Sequence, residues 1–213
     1  MKVNNISVGS LMQNRSMVWG SAGLLCGISL GVLIGLYWSS GESRGSYTVE
    51  KDRDGDGKPE ATLYYERGIL VRHKADRNLD GHPDEFEWFW GDLDSRIEVD
   101  DDFDGKVDGW ATYRRGNLWM SERDTDKNGV PDEFQYYEHG VIKLVVWRPN
   151  KSARPTVIDF YEMAILTKEL SDTNGDGLMD TVARFDAFQN LISKEELSEP
   201  ISAEDATRSV MPK

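Results

Sequence analysis

Five acidic segments recur along the chain at a fixed spacing. They start at Asp52, Asp76, Asp100, Asp124 and Asp172, so successive starts lie 24 residues apart except for the last interval, which is 48. Each segment has an oxygen-bearing side chain at positions 1, 3, 5 and 9 and a glycine at position 6. Oxygen donors at alternate positions can turn towards one cation, and a glycine permits the sharp turn between them. The spacing therefore predicts five metal-binding loops.

The residue types in these loops favour calcium over other metals. Ca²⁺ takes about six to eight oxygen ligands from carboxylates, amides and backbone carbonyls, so we expect position 7 to add its carbonyl oxygen. The predicted ligands are Asp52, Asp54, Asp56, Lys58 and Glu60; Asp76, Asn78, Asp80, His82 and Asp84; Asp100, Asp102, Asp104, Lys106 and Asp108; Asp124, Asp126, Asn128, Val130 and Asp132; and Asp172, Asn174, Asp176, Leu178 and Asp180.

Other metals and a metal-free role fit these loops less well. The absence of clustered histidine or cysteine argues against zinc and copper, and Mg²⁺ suits ligand sets of this size less well. Polar hairpin turns that bind nothing are the alternative. The sequence therefore predicts about five Ca²⁺ ions as cofactors.

A basic segment stands where a sixth acidic loop is due. The period places a start at residue 148, but the sequence there is RPNKSARPT, with Arg148 at position 1 and Thr156 at position 9. Two interpretations are open. The cationic side chains balance the neighbouring acidic loops without an ion, or Arg148, Lys151 and Arg154 form a docking patch.

The rest of each 24-residue unit reads as a β-hairpin. Position 14 is aromatic in all six units: Tyr65, Phe89, Tyr113, Tyr137, Tyr161 and Phe185. Two β-prone runs flank an X-Gly turn in most units, which places Tyr65 opposite Leu70, Tyr113 opposite Leu118, Tyr137 opposite Ile142 and Tyr161 opposite Leu166. Units two and six are expected to use a longer turn.

Repetition of this unit predicts the fold of residues 47–195. The units span 52–75, 76–99, 100–123, 124–147, 148–171 (the degenerate one) and 172–195. Six hairpins give twelve strands, so we expect an all-β, antiparallel meander with the calcium loops along one edge.

The composition of the N-terminal region predicts a membrane anchor. Residues 18–38 carry no charge and are long enough to cross a bilayer as a helix of about 30 Å. A cleaved signal peptide is the rival interpretation, but its apolar core is usually shorter, about 7–15 residues. Residues 1–17 are then a cytoplasmic segment, 39–46 a linker and 196–213 a flexible tail. The charges that flank the span favour an extracytoplasmic position for the repeats, in a single-pass cell-membrane protein.

Four glycines at a spacing of four residues mark one stripe of the predicted span. They are Gly23, Gly27, Gly31 and Gly35. Small residues at this spacing let a second helix approach closely. We therefore expect self-association of this helix or its packing against a membrane partner.

The loops resemble the Asp-x-Asp-x-Asp-Gly-x-x-Asp calcium loops of thrombospondin type-three repeats and of integrin-type strand–loop–strand repeats. They are only partly similar to EF-hands, whose loops lie between helices. The hairpin halves, such as YYERGIL and YYEHGVI, are similar to bacterial variants of the MORN repeat. The resemblance covers about residues 47–195 and implies calcium binding, but such repeats serve adhesion, scaffolding and accessory roles alike.

The net charge and the motifs argue against two classes of function, nucleic-acid binding and catalysis. A net charge of −13 argues against nucleic acid as a partner. The three histidines are scattered and no nucleophile–base pattern occurs, so we expect no enzyme. Trp88 and Trp90 could contact a protein or glycan ligand, with core packing as the alternative.

We therefore expect a membrane-anchored, non-catalytic calcium-binding repeat protein that acts as an extracytoplasmic structural, adhesion or binding module. The alternative is a calcium-responsive accessory subunit of a membrane protein complex.

Overall fold

The computed structural model describes residues 45–91, 93–149 and 154–211. The predicted cytoplasmic segment 1–17, the predicted span 18–38 with its glycine stripe, and most of the linker 39–46 lie outside these ranges. Within them, no helix has the length and apolar character needed to cross a membrane.

The described part of the chain forms one open antiparallel sheet of thirteen strands in sequential order. The strands are β1 Ser46–Lys51, β2 Ala61–Glu66, β3 Ile69–Ala75, β4 Glu85–Trp90, β5 Asp94–Val99, β6 Gly109–Arg114, β7 Asn117–Arg123, β8 Glu133–Glu138, β9 Val141–Trp147, β10 Val157–Glu162, β11 Ile165–Ser171, β12 Leu178–Phe185 and β13 Leu191–Ser202. The predicted all-β meander is confirmed. Its acidic segments connect alternate pairs of neighbouring strands, so they lie along one edge of the sheet.

The strand beyond the predicted twelve is β1. It precedes the first acidic segment and pairs with β2 from Ser46↔Glu66 to Lys51↔Ala61. The sequence SYTVEK contains Tyr47 and Val49, two β-prone residues on one face, and Tyr47 stacks on Tyr65 with ring centroids 4.8 Å apart. A strand at this place satisfies the edge of β2, which would otherwise be open.

The hairpin register follows the position-14 prediction. The pairs Tyr65↔Leu70, Tyr113↔Leu118, Tyr137↔Ile142 and Tyr161↔Leu166 are all present, each beside a one-residue register shift. Their two-residue turns have positive φ at both residues, as in Arg67 (51°) and Gly68 (80°). This is the type I′ geometry that suits a twisted hairpin.

Units two and six have the longer turns predicted for them. In unit two, Trp90 pairs with Asp94 across three residues, and in unit six Phe185 pairs with Leu191 across five.

A backbone ladder joins successive loop segments. In each inner unit the N–H of position 9 donates to the carbonyl just before the loop, as in Asp108 N to Val99 O and Asp132 N to Arg123 O at 2.8 and 2.9 Å. The N–H of the next position 1 then donates to the carbonyl of position 9, as in Asp124 N to Asp108 O at 2.8 Å. The ends of each inner loop are thus fixed by main-chain hydrogen bonds.

A cluster of buried apolar residues lies on one face of strands β9 to β12. It consists of Leu144, Val146, Ile158, Phe160, Leu170, Met179 and Val182. The C-terminal residues pack against it, among them Leu197, Ile201 and Val210. A short helix, α1 (Ala203–Thr207), begins after Ser202, whose side chain accepts the Asp205 N–H as an N-cap.

This ordered C-terminus differs from the predicted flexible tail 196–213. Strand β13 continues to Ser202, and α1 and the residues up to Met211 cover the apolar cluster. The apolar residues of this segment are spread among acidic ones, so no helix or strand period stands out in the sequence. Their packing partners lie on strands that are distant along the chain.

The opposite face of the sheet, which we call the inner face, is buried but partly polar. The register places Leu63, Glu87, Ile97, Ala111, Gln135 and Val145 along one row of it, and all six are buried. Ser121 donates to Gln135 Oε1 at 3.3 Å, and the Tyr137 hydroxyl donates to the same oxygen. Burial raises the pKa of the Glu87 carboxyl above its usual range.

Candidate metal-binding loops

The five acidic loops share one backbone conformation. The carboxylate at position 1 accepts the N–H of the glycine at position 6 in every loop, with N···O distances of 3.0, 2.7, 2.7, 2.5 and 2.8 Å at Gly57, Gly81, Gly105, Gly129 and Gly177. These glycines have φ between 86° and 93°. An L residue rarely adopts this conformation, which explains the glycine at position 6.

Side chains at positions 5 and 9 also accept hydrogen bonds from the loop backbone. The side chain at position 5 accepts the N–H of position 7, as in Asp56 with Lys58 at 2.7 Å and Asp176 with Leu178 at 2.8 Å. The carboxylate at position 9 reaches back to the start of the loop, where Asp84 accepts the Arg77 N–H at 2.8 Å. Hydrogen bonds of the protein itself therefore close the loop, and its oxygen-bearing side chains are turned inwards.

Three of the five loops bring their carboxylates together. The groups are Asp52, Asp54, Asp56 and Glu60; Asp100, Asp102 and Asp108; and Asp124, Asp126 and Asp132, with ligand atoms within 4.8 Å of one another in each group. Two oxygens bound to one Ca²⁺ are at most about 5 Å apart, twice the usual bond length. These groups could therefore hold a metal ion of that size. The other two loops have asparagine at position 3, Asn78 and Asn174.

The inner loops differ from the outer ones in exposure. Positions 1 and 9 are buried in the second, third and fourth loops: Asp76, Asp84, Asp100, Asp108, Asp124 and Asp132 are 3–8% exposed. In the first and last loops the corresponding residues are more exposed. A buried carboxylate needs a compensating charge or hydrogen bonds, and backbone N–H groups supply part of this compensation, as Gly105 does for Asp100 and Arg77 does for Asp84.

A lysine from the fourth loop contacts the third. Lys127 Nζ lies 2.6 Å from Asp108 Oδ2 and 3.4 Å from Asp102 Oδ2, two members of the third carboxylate group. Sequence reasoning missed this contact because Lys127 is at position 4 of its own loop, a position without a predicted role. The backbone gives no separate signal, because position 4 has positive φ in the other acidic loops too, as at Leu79 (64°) and Phe103 (63°).

Further cations link neighbouring loops. The Arg77 side chain donates to the Asp100 carbonyl at 2.9 Å and pairs with Asp101 at 3.1 Å. Within the third loop, the hydrogen bond from Lys106 Nζ at 2.8 Å lowers the pKa of Asp104. The Arg77 contact reduces repulsion between carboxylates of two neighbouring loops, and the Lys106 contact reduces it within one loop.

Position 7 of each loop was predicted to offer a backbone carbonyl. Lys58, His82, Lys106, Val130 and Leu178 each donate their N–H to position 5, at 2.7–3.1 Å. The backbone at position 7 is thus held close to the other loop ligands. Coordination of an ion by these carbonyls stays a prediction.

The basic segment keeps the frame of the acidic loops. Thr156 N donates to Trp147 O and Asp172 N donates to Thr156 O, both at 2.9 Å, as in the acidic units. Arg154 Nη1 donates to the Asp176 carbonyl at 2.7 Å. Residues 150–153, which include Lys151, lie outside the described ranges.

Two basic side chains of the segment, those of Arg148 and Arg154, have different surroundings. Arg154 contacts the following acidic loop, whereas the Arg148 guanidinium lies 4.6 Å from the centroid of the Phe134 ring. Only the first of these contacts is made to a neighbouring loop. The docking-patch interpretation stays a prediction.

The tryptophans predicted as ligand contacts occupy different environments. Trp88 is half-buried and stacks on Phe86 with centroids 6.1 Å apart, while Trp90 is 48% exposed. Core packing therefore explains part of the burial of the Trp88 ring, whereas the Trp90 ring lies at the surface. A ligand for either ring stays a prediction.

The sheet and its loops define an all-β hairpin-repeat protein with acidic clusters that could hold metal ions. No protein-family model matches the chain, and no curated protein is significantly similar to it.

Proposed function

We propose that this chain is a calcium-stabilised β-repeat module. The observation that supports the proposal most directly is the gathering of carboxylates at equivalent points of separate loops, each closed by the same hydrogen bond from position 6 to position 1. Hard oxygen donors in a flexible, many-membered set suit Ca²⁺ better than zinc, copper or magnesium. Asp, Asn and Glu side chains would hold the ion, with the carbonyl of position 7 completing the set.

The proposed role of the ion is structural. Five Ca²⁺ ions would bring ten positive charges and change the net charge of the chain from −13 to −3. Without them, carboxylates within one loop repel each other, so folding and metal binding are coupled. The resemblance to thrombospondin type-three and integrin-type loops agrees with this role.

The proposed location is outside the cytoplasm. Extracellular calcium modules bind with dissociation constants of about 10⁻⁴–10⁻³ M, a range in which they fill outside a cell and empty in cytosol. The uncharged segment 18–38 would hold the module at the cell membrane as a single-pass anchor, with the glycine stripe free to pack against a second helix.

The proposed work of the module is non-catalytic, as an adhesion, scaffolding or binding element. Its acidic side chains are engaged in loop closure, which leaves them unsuited to acid–base chemistry. A rigid sheet that presents one face and one edge of loops is suited to displaying a surface.

Hydrogen exchange of the full-length protein tests the calcium role directly. With about 1 mM Ca²⁺, the amides of the five acidic loops should exchange more slowly than in excess chelator. The same measurement in about 1 mM Mg²⁺ is the control, because Mg²⁺ brings the same charge but suits ligand sets of this size less well. Equal exchange of the acidic loops under both conditions would contradict the proposal.

Protease accessibility in intact cells tests the location. Cleavage of the repeats from outside, with protection of the N-terminus, is the expected result. Protection of the repeats until the cells are lysed would place the module on the other side of the membrane.

A further inference from the structure

A groove lies near the hairpin-turn edge of units three to five, away from the acidic loops. Its volume is about 900 Å³, and strands β6 to β11 and the C-terminal residues 209–211 line it. None of the lining residues belongs to a predicted metal loop. The groove is therefore a separate feature of the molecule.

The groove is cationic although the protein is strongly acidic. Its basic lining residues are Arg114, Arg115, Lys143 and Lys168, and its acidic ones are Glu138 and Glu162. These charges sum to +2, in a chain whose net charge is −13. One glutamate is already engaged, because Lys143 Nζ lies 3.3 Å from Glu138 Oε2.

Two of the cations are held against aromatic rings. The Arg114 guanidinium lies 3.5 Å from the centroid of the Trp119 ring, and Lys168 Nζ lies 3.8 Å from that of Phe160. Such contacts orient the cation but leave its N–H groups free to bind an anion. Within the described ranges, neither Arg114 nor Lys168 forms an ion pair with a carboxylate.

The surroundings of Lys168 are unfavourable for a positive charge. Lys168 lies directly opposite Arg184 in the sheet register, and burial together with this neighbouring cation lowers the pKa of the lysine. Like charges at facing positions destabilise a sheet. An anion in the groove would relieve this repulsion.

The groove also offers apolar contacts and an unused donor. Leu118, Val210 and Met211 join the two rings in its lining. Within the described part of the chain, the indole N–H of Trp119 is buried and has no acceptor. A ligand with both negative charge and apolar groups matches this combination.

We propose that the groove binds an acidic peptide segment of a protein partner. Carboxylates of the peptide would contact Arg114 and Lys168, and its apolar side chains would pack on Trp119 and Leu118. A uniformly charged chain such as a sulfated glycan fits less well, because Glu162 and Glu138 would repel it while the apolar lining stayed uncovered. This proposal does not rest on metal binding by the loops.

Fluorescence anisotropy with the full-length protein tests the proposal. The probe is a short fluorescein-labelled peptide of alternating Glu and Leu, with an alternating Lys and Leu peptide as the charge control. We expect saturable binding of the acidic probe only. The double variant Arg114→Gln, Lys168→Gln should weaken that binding by about tenfold or more, since two charged contacts are lost.

A matched variant separates a specific site from general electrostatics. Arg72 and Lys74 also lie over a ring, that of Tyr64, at 3.9 and 5.6 Å, but they are outside the groove. The double variant Arg72→Gln, Lys74→Gln should bind the probe as the parent does. The charge-conserving variant Arg114→Lys, Lys168→Arg, checked for folding by circular dichroism, should retain most of the binding.

Four results would overturn the proposal. The first is the absence of probe binding, and the second is an equal loss of probe binding in the two glutamine variants. The third is binding of heparin instead of the peptide, weakened by the Arg114, Lys168 glutamine variant, which would make the groove a glycan site. The fourth is self-association that disappears only in the Arg114, Lys168 glutamine variant, which would assign the groove to a second copy of this chain.

Discussion

The acidic loop 124–132 and the basic segment 148–156 are neighbours built on one frame. Position 9 donates its N–H to the residue before the loop at 2.9 Å in both, from Asp132 to Arg123 and from Thr156 to Trp147. The hairpins that follow have the same register, Tyr137↔Ile142 and Tyr161↔Leu166. What differs is the charge of the loop. The backbone frame of the loop therefore forms without the proposed metal ligands.

The contacts to the following loop support the same conclusion. Arg154 Nη1 of the basic segment donates to the Asp176 carbonyl at 2.7 Å, and Lys58 Nζ of the first acidic loop lies 3.5 Å from the equivalent Asp80 carbonyl. Both cations are at position 7 of their units and contact position 5 of the next. This contact is thus made by a basic and by an acidic loop alike, so it belongs to the shared frame and does not depend on the proposed metal ligands.

Removal of calcium should have the largest effect. At a free Ca²⁺ concentration tenfold above the dissociation constant, each site contributes about 1.4 kcal/mol, and five sites about 7 kcal/mol, to the free energy of unfolding. Thermal melts followed by circular dichroism, with Ca²⁺ and with chelator, should show a large fall in the midpoint. An unchanged midpoint would remove the structural role of the ion.

Restoration of the sixth loop should add one site. The variant Arg148→Asp, Ser152→Asp, Ala153→Gly, Thr156→Asp recreates the ligand pattern around Asn150, and we expect its calcium stoichiometry to rise by one. Its stability gain in Ca²⁺ should be about 1–2 kcal/mol. The single variant Ala153→Gly is the control and should bind no additional ion. An unchanged stoichiometry in the fourfold variant would mean that the loop pattern alone does not make a site.

Neutralisation of Lys127 should strengthen calcium binding at the third loop. Its ammonium competes for Asp102 and Asp108, so Lys127→Gln should raise the affinity of that site by about two- to fivefold, the range of an exposed ion pair. Lys143→Gln is the matched control because Lys143 Nζ pairs at 3.3 Å with Glu138, which is outside the predicted ligand set. Equal effects of the two variants on calcium titrations would contradict this competition.

The smallest effect concerns the inner face. Burial raises the folded-state pKa of Glu87 above its unfolded value, so the ionised carboxyl destabilises the fold. Stability from this residue is greatest below the unfolded pKa and falls as the pH rises through the folded pKa. Glu87→Gln should therefore stabilise the protein at pH 7 and have little effect near pH 4, as measured by urea unfolding. A stabilisation that does not change with pH would contradict this account.

Much of the fold could be predicted because the period is local. The 24-residue spacing, the aromatic position 14 and the X-Gly turns specify hairpins and their register, such as Tyr113↔Leu118. Strand β1 was missed because it precedes the first acidic loop, where no repeat start marks it. The packing of Ile201 and Val210 on the core was missed because it joins segments far apart in sequence.

In the candidate site, too, the features within one loop could be predicted and the contacts between loops could not. The loop carboxylates and the position-6 glycines follow a motif that one loop contains in full. The contacts of Lys127 and Arg77 join two loops, so their geometry depends on how the strands between those loops pair. A one-loop motif cannot specify them.

The most direct test of the central claim is a calorimetric calcium titration of the full-length protein. The account predicts binding with dissociation constants of about 10⁻⁴–10⁻³ M and a stoichiometry near five, one ion for each acidic loop and none for the basic segment. No heat of binding at millimolar Ca²⁺, with no rise in the thermal midpoint, would contradict it.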